Sequence, residues 1–118
     1  MPQIEGLKEQ KAALQRVKQN LKVIENINSF IKSVAKLSKE PKANIQHQIE
    51  VSVESGEDFK RFKCPMVISD NNYIFEAVLK YKKSIVEKVN EDTSKYHISL
   101  SAQETAALEW EFVSEQDS

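Results

Sequence analysis

His47 and Cys64 are one pair of side chains in this 118-residue chain with the types to act as a nucleophile and its base. An imidazole beside a thiol stabilises the thiolate, which is the reactive form. Strand pairing is expected to set the two as diagonal neighbours on one sheet face, so the geometry merits consideration. That face is also the expected core, and no oxyanion donor or orienting acid accompanies the pair. Cys64 therefore reads as a small buried hydrophobe, and the chain as no enzyme. The second histidine, His97, alternates outward and reads as solvated.

Other site chemistry lacks its residues. A phosphate-cradling loop needs several glycines close together, and the only two, Gly6 and Gly56, stand fifty residues apart. A structural zinc site needs four Cys or His ligands, whereas this chain has one Cys and two His. No cofactor and no metal are expected.

Bases interleaved with aromatics suggest a different chemistry. KRFK (Lys60 to Lys63) and KYKK (Lys80 to Lys83) each place an aromatic among cations. Lys60, Arg61, Lys63, Lys80, Lys82 and Lys83 are candidate contacts to a nucleic-acid backbone, with Phe59 or Tyr81 available to stack on a base. The same residues also serve as an ordinary solvated face, and the overall net charge of −1 falls short of the basic balance of a dedicated binder.

The third constellation is aliphatic. Leu7, Leu14, Leu21, Asn28 and Ala35 repeat every seven residues, and Gln10, Val17, Ile24, Ile31 and Ser38 follow three residues later. That is an a/d seam. Leu14, Val17, Leu21, Ile24, Asn28 and Ile31 are the candidate protein interface. Asn28 is a polar residue at a seam position; paired with its twin it would set the register of a parallel dimer. Facing water, or marking a bend, it would need no twin. A second series, Val23, Ile27, Phe30, Val34 and Leu37, makes the later half apolar on two sides, to be covered by the chain's own sheet and by a second helix.

These residues need elements to hold them. No Gly or Pro lies between Gly6 and Pro41, so the spacing predicts a long helix over 5–40. Ile45, His47, Ile49, Val51 and Val53 alternate with polar residues and predict a strand. A turn at SGED predicts a hairpin in which Val51 faces Phe62, Ile49 faces Cys64, His47 faces Met66 and Ile45 faces Ile68. Pro65 marks the second strand as an edge or as bulged. SDNN caps a helix through YIFEAVLKYKKSIVEKVNE, EDTS turns, and Tyr96, Ile98 and Leu100 predict a third strand. Ser101 with Glu104 forms a capping-box pattern ahead of a short last helix.

Length predicts a single domain over 1–118: an arm at 5–40, a compact α+β part at 44–112 and a frayed tail at 113–118. Residues 1–43 carry nine bases and four acids, whereas the stretch from Ala102 onward carries five acids and no base. The acidic end is thus a candidate to lie along the basic helix, or to act as a tail. No apolar run reaches the roughly 20 residues of a membrane span. The lone Cys64 and the absence of a secretory leader place the chain in the cytoplasm, and its Lys-rich, Asn- and Ile-rich composition hints at a bacterial or phage source. The expectation is an α+β fold: long N-terminal helix, small antiparallel sheet built on a β-hairpin, middle helix and short C-terminal helix. The expected role is a non-enzymatic assembly module that binds itself as a homodimer, or another protein, through its first helix. An accessory nucleic-acid-binding role is the alternative, and no membrane association is expected.

Overall fold

The computed structural model describes residues 2–54, 56, 57 and 61–112, with side chains from Gly6 onward. Its elements run α1 (Pro2–Leu37), β1 (His47–Glu54), β2 (Arg61–Ile68), α2 (Asn71–Lys95) and α3 (Ala102–Glu109), an α+β order that matches the expected one. The tail at 113–118 lies outside the described residues.

Helix α1 spans 36 residues and ends at Leu37, short of the expected 40. Pro41 disfavours helical backbone at the residue before it. The chain accordingly tightens there, with Lys39 N–H donating to Lys36 O at 3.3 Å and Glu40 N–H to Leu37 O at 3.1 Å. Helix α2 returns antiparallel to α1. Gln10 of α1 donates to the Tyr96 carbonyl just past the far end of α2, at 3.2 Å, whereas Phe30 of α1 lies near Ile74 at the start of α2. The β-hairpin is therefore an insertion at the tip of a helical hairpin.

The core fills the seam between these helices. Val17, Leu21 and Ile24 of α1 meet Ile85 and Val89 of α2, with Ala107 and Leu108 of α3 packed against them. Val17, Ile24, Ile31 and Val89 are fully buried. Each such aliphatic contributes roughly 1.5–3 kcal/mol of transfer free energy, which dominates the stability of a domain this small. Among the second series, Val23 and Ile27 border this core, while Phe30 and Leu37 stay exposed. The sheet therefore covers little of that side of α1, contrary to expectation.

Helix α2 runs through the expected EDTS turn to Lys95. Arg16 holds this extension with a bidentate contact to Asp92, Nη2 to Oδ1 at 3.1 Å and Nε to Oδ2 at 3.3 Å. The carboxylate keeps the Arg16 guanidinium above its already high usual pKa, chiefly through these hydrogen bonds. The expected third strand does not form. His97 adopts a left-handed φ of 53°, and Ile98 N–H donates back to Thr93 O at 3.0 Å. This six-to-one bond is the Schellman way of closing a helix, and it directs Ile98 to the core instead of to a strand.

Among the described residues the sheet has two strands, antiparallel. His47 faces Ile68, Ile49 faces Met66, Val51 faces Cys64 and Val53 faces Phe62, a register two residues away from the expected one. A shift of two keeps every side chain on its expected face, so the apolar row survives with new partners. Pro65 sits opposite Glu50 within the ladder, on one of two strands that are both edges. Asp70 caps α2 by accepting from Asn72 N–H at 3.0 Å, and Ser101 with Glu104 forms the full capping box of α3.

Candidate interaction surface

The structure separates the pair that suggested catalysis. His47 is buried, its ring edge-on to Phe30 at 6.0 Å, and its Nε2 donates to Asn71 Oδ1 at 2.7 Å. Cys64 is exposed and four residues along β2 from Ile68, the partner of His47. At about 3.4 Å per residue, that puts roughly 13 Å between the two rows. His47 instead fastens the base of the hairpin to both long helices. Among the described residues, no three Cys, His, Asp or Glu side chains gather as a metal would require.

The basic candidates also part company. Lys60 and the stacking candidate Phe59 lie outside the described residues. Arg61 pairs with Glu54 at 3.5 Å and Lys63 with Glu50 at 3.8 Å, both on the charged face of the hairpin. Lys80 and Lys83 are exposed on α2, as is Tyr81. Lys82 is buried: its ammonium donates to the Trp110 carbonyl at 2.6 Å and stands 5.2 Å from the centre of the Trp110 ring. Lys32 approaches the same ring at 5.0 Å. Burial pushes the Lys82 pKa down, with Lys32 adding repulsion and Glu111 opposing both. Lys82 thus anchors the segment after α3, which Phe112 also pins through an edge-on contact with Phe75 at 5.1 Å. No spacing in the sequence announced this Lys82–Trp110 contact.

The candidate protein interface on α1 is occupied from within. Val17, Leu21, Ile24, Asn28 and Ile31 are buried against the chain's own elements, and Leu14 alone of the six is exposed. Asn28 has a partner in the same chain: its Nδ2 donates to the Ala107 carbonyl at 3.0 Å. That carbonyl belongs to the last turn of α3, where intrahelical donors run out. The polar seam residue therefore ties α3 to α1, while its Oδ1 is buried without a partner among the described residues.

What the helices leave bare is the apolar face of the hairpin. Val51, Val53, Phe62 and Met66 are 38–61% exposed, with Cys64 between them. Among the described residues, only the base of this face is covered, where Phe30, His47, Ile49, Ile74 and Val78 line a groove of about 500 Å³. The opposite face carries Glu50, Glu54, Arg61 and Lys63, whose charges pair off within the hairpin. A two-stranded hairpin with an uncovered apolar face is marginal by itself in water. Contiguous apolar surface of this kind marks contact sites.

No family model, curated protein or solved structure matches this chain. None of its described helices is long and apolar enough to cross a membrane.

Proposed function

We propose that the protein is a non-enzymatic assembly module that associates with itself, and that the contact is seated on the β-hairpin. The supporting observation is the apolar face of Val51, Val53, Phe62 and Met66, which the chain's own helices do not reach. Self-association through the α1 seam is less favourable, because five of its six candidate residues already lie in the core. The six candidate basic residues give no comparable support to nucleic-acid binding, since Lys82 is buried and Arg61 and Lys63 are neutralised by glutamates.

Light scattering over a range of concentrations tests the proposal. A dimer is expected, reverting to monomer when Phe62 and Val53 are both replaced by Ser, with the helical circular dichroism retained. A wild-type protein that remains monomeric at every concentration would overturn it.

A further inference from the structure

Resting on that reading, we infer that the occupant is a second copy of this chain, joined edge to edge through β1 in an antiparallel pair centred on Val51. Of the same-face registers that use nearly the whole of β1, this one alone is self-complementary. Centred on Val51, Glu50 faces Ser52 of the second copy, Gln48 faces its Glu54, and Ile49 faces its Val53. Every apolar residue then meets an apolar one, and no carboxylate meets another. Centring one residue away sets Glu50 opposite Glu50 when the axis falls on Glu50 and opposite Glu54 when it falls on Ser52, while centring on Ile49 leaves Ser52, Val53 and Glu54 without partners in β1. A slip of one residue sets the apolar face against the charged one.

The backbone agrees with this choice. Proline in a sheet turns its donor-less side outward, so the Glu50–Pro65 pair is of the kind whose backbone groups point away from each other. The outward-facing N–H and C=O groups of β1 then belong to Gln48, Glu50, Ser52 and Glu54, the residues that the proposed register brings into hydrogen-bonded pairs. The other edge, on β2, lacks a donor at Pro65.

The arrangement also accounts for the bare face. A two-fold axis normal to the sheet puts the apolar faces of both copies on one side. Each helical body sits on that side at the base of its own hairpin, where Phe30 and Ile74 lie beside His47 and Ile49. Antiparallel pairing carries the body of each copy to the tip of the other's hairpin. Val53 of one copy then lies beside Ile49 of the other, at the mouth of the groove that Phe30 and Val78 line. The product is a four-stranded sheet with helices on one face, the layering a stable domain needs.

Cross-linking tests the register. In a Cys64→Ser background, Val51→Cys is expected to form a covalent dimer under mild oxidation. Opposed non-hydrogen-bonded positions lie about 4.5 Å apart, within the range a disulfide spans. Val53→Cys in the same background, facing Ile49, should cross-link at least tenfold more slowly. A dimer in solution in which Val51→Cys does not cross-link, or in which Val53→Cys cross-links faster, would overturn the edge pairing and leave self-association standing. A monomer throughout would overturn both.

Discussion

Lys82 carries an ammonium into a site where burial disfavours it, beside Lys32 and against the Trp110 ring and carbonyl. Its pKa is lowered in the folded chain, first by burial, so between that lowered value and the ordinary lysine range the unfolded chain binds the proton more readily. Folding stability from this residue therefore increases with pH across that window, and the deficit is fully present below it. Urea unfolding of the wild type and of Lys82→Met between pH 7 and pH 10.5 measures this. The wild type should gain on the variant as pH rises; a constant difference would contradict the assignment. Asn28 shows how far a single residue could be understood from the sequence. Its place in the seam was legible because heptad spacing is local. Its partner was not, because the acceptor is an orphan carbonyl 79 residues away, and heptads look alike whether the facing helix belongs to the same chain or another.

At the scale of the elements, periodicity settled kinds and faces but not partners. The strand alternation of β1 placed each side chain on its correct face, yet the register depended on the length of the connection. Taking SGED as the whole turn drew the strands two residues too close, whereas β1 ends at Glu54 and β2 begins at Arg61. Both caps were legible because their side chains act within three residues. The third strand failed for a reason that alternation cannot reveal: a helix ending in a left-handed residue consumed Tyr96 to Ile98. The left-handed position at His97 is strained for a residue with a Cβ and relaxed for glycine. His97→Gly should raise the unfolding free energy by about 0.5–1 kcal/mol, read from denaturant midpoints at an unchanged m-value. An equal loss would mean that the imidazole makes a stabilising contact there.

The molecule as a whole is a thin plate, with Cα extents of 63 × 47 × 16 Å. Its charge asymmetry, visible in the sequence, has a counterpart in the fold: the segment after α3 lies against basic α1, with Glu111 lining the same groove as Lys32 and Lys36 and with Lys32 over the Trp110 ring. The exposure of the hairpin face was not legible, because an alternating apolar row looks the same whether its cover comes from the same chain or another. Two forces could then join two plates: attraction between the basic and acidic ends, or the main-chain and apolar contacts of a shared sheet. Salt separates them, since at 1 M the screening length falls to about 3 Å and exposed charges lose most of their interaction. Backbone bonds and apolar contact across a sheet are scarcely weakened by it. The dimer dissociation constant, measured by sedimentation at 0.05 M and 1 M sodium chloride, should change by no more than about twofold. Dissociation on adding salt would move the contact away from the hairpin, whose own charges are already paired, and onto the charged ends of the chain.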